Sequence, residues 1–298
     1  GVVPMRAALA AADPTTRFSR ARLLPARVAV GVVVHNNPHE EVRRLSASLR
    51  LPTGPAEALA LSRYLLSNGA GEYATLAQDL GFTLFDRQPN RGFGAGHNTL
   101  MRRAFEDGAD YYIAANPDGF FAPDCIEQLV RASQHFGDRA LVEAVQFPEE
   151  HTKTFDPETL DTPWVSGACL LVSRVAWQTL GGFDERMFMY CEDVDISWRA
   201  LEAGLGVKHC PTALYYHDVT ERDGQDWRAR QMYLAGRYMA YKWGAPEFAR
   251  KLEADLLRWG LIERIEDLEP LAEEFAGRVA PPYADFSRAF YFAAPRWE

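Results

Sequence analysis

RVAVGVVVHN, Arg27 to Asn36, runs almost directly into PHEEVRRLSASLR, Pro38 to Arg50, and this pair of segments sets the reading of the chain. The first is a short β-branched run ending in polar residues, the pattern of a buried strand. The second has Pro38 at its start, Glu40 and Glu41 early, and Arg43 and Arg44 later, an order that suits a helix and its dipole. A buried strand feeding a helix is the opening half of a βαβ unit. The same alternation recurs. An apolar run from Arg63 meets the turn signal Asn68-Gly69, FTLFDRQPN (Phe82–Asn90) reads as a strand, and RGFGAGHNTLMRRAFEDG (Arg91–Gly108) reads as a glycine-rich turn entering a helix. ADYYIAANPDG (Ala109–Gly119), WVSGACLLVSR (Trp164–Arg174) and ALYYHD (Ala213–Asp218) add strands. Strand and helix at this spacing predict an α/β fold with a mostly parallel central sheet flanked by helices.

From Asp226 the texture changes to helical spacing with mixed charge, which predicts a C-terminal helical appendage. The expected division is an N-terminal arm over 1–26, a catalytic domain over 27–220 and a helical region over 221–298. Residues 1–27 carry five arginines against one acid, Asp13, so the arm is basic, a flexible tail or one drawn to an anionic surface. The helical region, aromatic at its end through Phe286, Phe290, Tyr291, Phe292 and Trp297, is expected to pack on the catalytic domain or pair two copies as a homodimer.

Bulk properties exclude some functions. With 298 residues the chain can bury a sizeable core. A net charge of −9 and a pI near 5.4 argue against nucleic-acid binding, which needs clustered Lys and Arg. No apolar run approaches the roughly 18 residues of a membrane span. Cys125, Cys169, Cys191 and Cys210 stand without a CxxC pair, which points to reduced thiols and a cytoplasmic setting.

In a doubly wound sheet, ligands sit beyond the carboxyl ends of the strands. Asn36, Ser67-Asn68 and Asp118 all fall at such ends. Each alone is an ordinary turn former; in register they mark a place for a nucleotide. GFGAGHN (Gly92–Asn98) is not the dinucleotide fingerprint, because His97 stands where Gly or Ala is needed. Its glycines still allow a backbone to approach a ligand closely. Asp118, in a tight turn, suits a divalent cation bridging a diphosphate, with His217 as a further ligand. In FMYCEDVDISWRALEAG (Phe188–Gly204) three carboxylates crowd within four positions. A helix starting near Asp193 would stabilise Glu192 and Asp193 at its N-terminus, pair Asp195 with Arg199, and put Val194, Trp198, Leu201 and Leu205 on one core-facing stripe.

VVVHNN, SNGA, NRGFGAGHN, NPDG, WVSGACLLVSR, GGFDERMFMYCEDVDISWRALEAG and PTALYYHD together resemble, in order and spacing, the family 2 glycosyltransferases, in particular their bacterial rhamnosyltransferase-like branch. The resemblance covers about Ala29 to His217. It implies a GT-A fold, Mg2+ or Mn2+, and inversion at the anomeric carbon. The implied donor is a nucleoside-diphosphate sugar, dTDP-rhamnose or a UDP- or GDP-sugar. The implied acceptor is a glycan or lipid-linked glycan met at the inner membrane face. By position, Asp193 would be the base and Glu192 its support, and Asp118 and His217 would meet the metal. Asn36, Ser67 and Asn90 would lie along the nucleoside, Gly167 would line the sugar pocket, and Gly92, Gly94 and Asn116 would complete the donor site. Ser67 stands where the family often has Asp, and Asn116-Pro117-Asp118 replaces D-x-D. The rival expectation is an inactive sugar-nucleotide-binding subunit of a glycan-assembly complex.

Overall fold

A computed structural model describes residues 23–49, 58–148, 151, 153–217 and 225–286. Nearly all of the basic arm, the loop after His217 and the aromatic residues beyond Phe286 lie outside the described residues. In chain order the elements are β1 (Ala26–Val34), α1 (His39–Ser48), β2 (Leu59–Ser67), α2 (Ala74–Leu80), β3 (Thr83–Phe85), α3 (Phe93–Glu106), β4 (Tyr111–Ala115) and β5 (Gly119–Phe121). There follow α4 (Cys125–His135), β6 (Ala140–Pro148), β7 (Cys169–Ser173), α5 (Arg174–Leu180), α6 (Glu192–Glu202), β8 (Gly206–His217), α7 (Gln225–Lys242), α8 (Pro246–Arg258) and α9 (Leu271–Glu274).

The strands form one mixed sheet in the order β3-β2-β1-β4-β7-β6-β8-β5. Only β7 and β5 run against the others. The order reverses direction at β1, which pairs β2 on one side and β4 on the other, so the crevice for a ligand opens at the carboxyl end of β1. The alternation of β1 explains its two-sided burial. Val28, Val30 and Val32 join Val42, Leu45 and Leu129 under α1 and α4. Ala29 faces the opposite layer with Leu100, Met101, Ile196 and Ala200 of α3 and α6. Gly31 is glycine because a Cβ there would lie 1.8 Å from the Tyr112 hydroxyl.

α4 and β6 carry no mark in the sequence reading. In β6 the apolar alternation is broken by Glu143 and Gln146, both buried. The fold accommodates Glu143 by pairing it with Lys153 and with His209, 3.4 Å away.

The stripe expected on α6 is placed differently. Ile196 and Ala200 face the sheet, whereas Val194 and Trp198 pack away from it, with Met239 of α7, Trp243 just past its end, Ala249 of α8 and Leu271 of α9. Leu205 lies past the helix in the sheet-side core. The C-terminal helices therefore pack on the outer face of α6, through Trp198 against Trp243 (5.4 Å) and Phe286 (5.2 Å).

Asp195 ties the two parts together. Its carboxylate has no exposure and accepts from Arg199 (2.8 Å) and from the Trp243 indole (2.9 Å), with the Lys242 ammonium at 2.7 Å. Arg199 also donates to the carbonyls of Leu180 and Gly182, and Lys242 to Asp184. Burial works to raise Asp184, but hydrogen bonds from Lys242 and Tyr238 outweigh it and hold the carboxyl below its ordinary value. Among the described residues no helix is long and apolar enough to cross a membrane. Replacing Asp195 by Ala leaves two cations facing a buried void, so urea denaturation should register a loss of about 3–5 kcal/mol. A loss under 1 kcal/mol would mean that the network does not tie α7 to α6.

Candidate active site

The crevice at the switch point is a cleft of about 800 Å³. Its floor is the strand ends. His35 Nδ1 lies 3.0 Å from Asn68 Oδ1, Asn68 Nδ2 donates to Asn90 Oδ1 at 3.2 Å, and Asn90 Oδ1 accepts from Gly92 N at 3.2 Å. These four residues form one polar chain along the carboxyl ends of β1 and β2 and the start of α3. Val33 and Asn37 complete this wall.

Of the residues named from sequence, Asn90, Gly92, Asn116 and Asp118 line the cleft, and His217 touches the last two. The other six are not in its lining: Gly167, Asp193 and Glu192 adjoin it only through Phe93, which a Cβ on Gly167 would touch, and the remaining three turn elsewhere. Asn36 turns into the adjoining loop, where its Oδ1 accepts from Gly71 N at 2.9 Å. Ser67 is fully buried with no hydrogen bond to its hydroxyl, and its neighbour Asn68 reaches the cleft instead. Gly94 sits in the first turn of α3, where a Cβ would come 3.0 Å from Phe183, so it serves helix packing and not a ligand. The polar signals fall at the sheet edge where the cleft opens. Which residue of each turn faces inward depends on loop backbone; Asn36, for example, has φ of 56°.

Gly92 is fixed by geometry. Its φ is 97° and ψ −179°, a region essentially reserved for glycine. A Cβ would lie 1.9 Å from the carbonyl oxygen of Phe188, which already accepts from Phe93 N. This contact binds the start of α3 to the segment that precedes α6.

At the cleft's other wall, Asp118 Oδ1 stands 2.9 Å from His217 Nε2, and Asn116 Nδ2 lies 3.2 Å from the same nitrogen. His217 Nδ1 faces Gln146 Oε1 at 3.0 Å, and the Gln146 amide donates to Ser166 Oγ. The amide oxygen can only accept, so Nδ1 is the donor to it, and Nε2 is the nitrogen turned to Asp118, where a shared proton or a cation between the two would satisfy both. A histidine whose far nitrogen is anchored in this way is the arrangement of a metal ligand. Two donors each about 2.1 Å from one octahedral ion stand about 3 Å apart. The pair therefore fits a divalent cation completed by phosphate oxygens and water. Among the described residues no group of three or more His, Cys, Asp or Glu forms a closed metal cage.

Two residues of this wall carried no signal in the sequence beyond helix amphipathicity. Glu41 and Arg44 lie one turn apart on α1 and both line the cleft. Arg44 sits over the Phe120 ring at 5.0 Å and donates to the Asp118 carbonyl at 3.2 Å. Glu41 Oε2 is buried without a hydrogen bond. Burial, and then the charge of Asp118, raise the Glu41 carboxyl above its ordinary value.

The carboxylate cluster divides into three environments. Asp195 is the structural anchor described above. Asp193 Oδ2 accepts from Gly167 N at 3.0 Å and Oδ1 from Val194 N at 2.9 Å. A Cβ on Gly167 would meet Phe93 of the cleft at 3.1 Å. Burial pushes Asp193 up to about 6, with Glu143 adding to the rise and the backbone hydrogen bonds opposing it. Glu192 is buried with Oε2 lacking a hydrogen bond, and burial and then Asp193 hold it well above the ordinary range. The result is one carboxyl raised to about 6 beside one raised well above the ordinary range.

No protein-family model matches the chain. It is 26% identical to the N-acetylglucosaminyl-diphospho-decaprenol L-rhamnosyltransferase of Mycobacterium tuberculosis, over 77% of this chain and 88% of the relative. In fold it is similar to a mannosyltransferase from Pyrobaculum calidifontis in complex with GDP-Man and Mn2+, with a TM-score of 0.56 and 18% identity over 94% of this chain and 86% of the other. It is also similar to GalNAc-T7 with UDP, GalNAc and Mn2+, with a TM-score of 0.57 and 14% identity over 86% of this chain and 56% of the other.

Gly92→Ala forces a methyl group into the Phe188 carbonyl and a side chain into an unfavourable backbone region. Denaturation should show a loss of at least about 1–2 kcal/mol, with nucleotide affinity reduced in the same variant. Unchanged stability and affinity would show that this close approach is not needed.

Proposed function

We propose that this chain, a GT-A glycosyltransferase similar to the rhamnosyltransferases, is an inverting enzyme that moves a sugar from a nucleoside diphosphate to a hydroxyl of a glycan or lipid-linked glycan. The observation that carries the reading is Asp193. Its two oxygens are held by backbone N–H groups at the head of α6, and its carboxyl ionises near 6. A base so held is ionised at pH 7 and still basic enough to take a proton from an attacking hydroxyl. Burial and the neighbouring Asp193 hold Glu192 well above the ordinary carboxylate range, which favours placing the negative charge on Asp193.

In this reading the nucleoside lies along His35, Asn37, Asn68 and Asn90, and the diphosphate reaches Asp118 and His217. Asp118 and His217 would hold Mg2+ or Mn2+, which when bound stabilises charge on the leaving diphosphate as a Lewis acid. The relatives' names support the substrate classes: one acts on a lipid-diphosphate sugar, and two solved folds hold UDP or GDP-Man with Mn2+. A lipid-linked acceptor would bring residues 27–220 to a membrane face as a peripheral catalytic unit, with 221–298 as its helical support.

The test is single-turnover transfer beside donor affinity. Both oxygens of Asp193 accept from N–H groups, so Asp193→Asn also turns one acceptor into a donor against the backbone. The variant must therefore be checked for an intact fold. If folded, it should lose about 10²–10⁴-fold in transfer with donor affinity retained. Transfer at the native rate would remove Asp193 as the base. A chain that binds nucleotide with Mn2+ yet transfers nothing would be the inactive binding subunit.

The ionisation of Asp193 sets the pH profile. The deprotonated form is the active one, so the rate should be near its plateau at pH 7, half-maximal near pH 6, and about tenfold lower for each further unit of acid. A rate flat between pH 7 and 5 would contradict this.

Asp118→Ala should abolish the metal-dependent part of nucleotide binding in calorimetry while the melting curve of the free protein is preserved. Equal metal-dependent affinity in the variant would overturn the assignment.

A further inference from the structure

Trp227 lies in the first turn of α7 and is 46% exposed, the indole forming part of the cleft wall. A large aromatic left open in a cleft presents a flat apolar face with a wet rim. Its orientation is fixed by its neighbours. Phe188 meets it edge-on, at 6.2 Å and 90°. The next residue, Arg228, donates to the Tyr190 hydroxyl at 3.4 Å. Phe188 and Tyr190 belong to the segment that runs straight into α6, five and three residues before Asp193. Phe188 and Met189 line the same cleft. The head of α7 is thus attached to the segment that delivers the base, whereas the strand-end amides and the Asp118–His217 pair belong to other walls.

We infer that Trp227 is the platform on which the acceptor's sugar ring stacks, so that the C-terminal helical region supplies acceptor specificity. The inference rests on the transferase reading. The hydroxyl that attacks must approach the base, so the ring carrying it lies against whatever flanks the base. A pyranose offers a face of C–H groups that suits an indole plane, while its hydroxyls remain turned to water and to the polar side of the cleft. The donor's nucleoside and diphosphate already have chemically matched partners elsewhere: amides for the base and ribose, and a carboxylate with an imidazole for the metal-bridged phosphates. An open apolar face set against the segment that leads into the base has no such partner in the donor. Its counterpart is the second sugar.

The test uses the full chain, with Trp227→Ala and Trp227→Phe beside the native protein. The acceptor probe is an N-acetylglucosaminyl diphosphate on a short alkyl chain. Loss of one aromatic face should raise the acceptor KM about three- to tenfold with kcat within twofold. Donor Kd by calorimetry should be unchanged, and Trp227→Phe should fall between the two. Saturation-transfer NMR with the same probe reads the contact without turnover, and ring-proton saturation should disappear in Trp227→Ala. Equal KM and equal saturation in the native protein and Trp227→Ala would overturn the inference, as would a loss of donor affinity with acceptor KM unchanged. If the native protein transfers nothing, the NMR result still decides. Saturation lost in Trp227→Ala keeps the platform while the transferase reading fails, and saturation retained ends the inference.

Discussion

Asp195 is the constraint on which the rest of the structure depends. A carboxylate with no exposure is costly to bury alone, and this one is stabilised by a guanidinium, an ammonium and an indole N–H at once. The guanidinium belongs to its own helix, and the other two donors, Lys242 and Trp243, to the last residue of α7 and the turn that follows it. The satisfaction of one buried charge therefore requires two regions of the chain to dock. The surrounding apolar residues, Trp198 and Trp243 foremost, make that docking dry, and the dryness in turn makes each hydrogen bond count for more.

That docking has a consequence two residues away. With α6 held from behind by Asp195, its N-terminal turn is fixed against Gly167 and the Phe188 segment. Asp193 and Glu192 then sit in a setting that the helix alone would not provide. Three acids within four positions would repel strongly if all were ionised and buried. The structure gives them three settings: one paired, one held by backbone N–H groups and raised to about 6, one unbonded at Oε2 and raised well above the ordinary range. The crowding thus leaves three neighbouring acids in three distinct settings, and the proposed base is the one held by backbone N–H groups.

The opposite wall follows the same logic with different groups. Gln146 lies on β6 and His217 at the end of β8, neighbours in the sheet. The amide makes Nδ1 a donor, and Nε2 meets Asp118 from the turn between β4 and β5. Gln146 is one of the buried polar residues that obscure β6 as a strand in the sequence. The residue that interrupts the apolar pattern is the one that orients the site.

The sequence by itself determined the α/β class, the strands carrying VAVGVVV and YYIAA, the helix start at the carboxylate cluster and the pairing of Asp195 with Arg199. Each depends on contacts within about one turn or one strand, where periodicity and residue type speak directly. It also put polar residues at the sheet edge where the cleft opens. Only the tertiary structure decided which of them face the cleft: Asn68 and not Ser67, Gly92 and not Gly94. It alone showed that Val194 and Trp198 face the C-terminal helices and that Glu41, Arg44 and Trp227 join the cleft. The reason is physical. A one-residue change in where a turn begins reverses the direction of a side chain. Which face of a helix is covered depends on a partner more than thirty residues away, and short-range pattern carries no record of either.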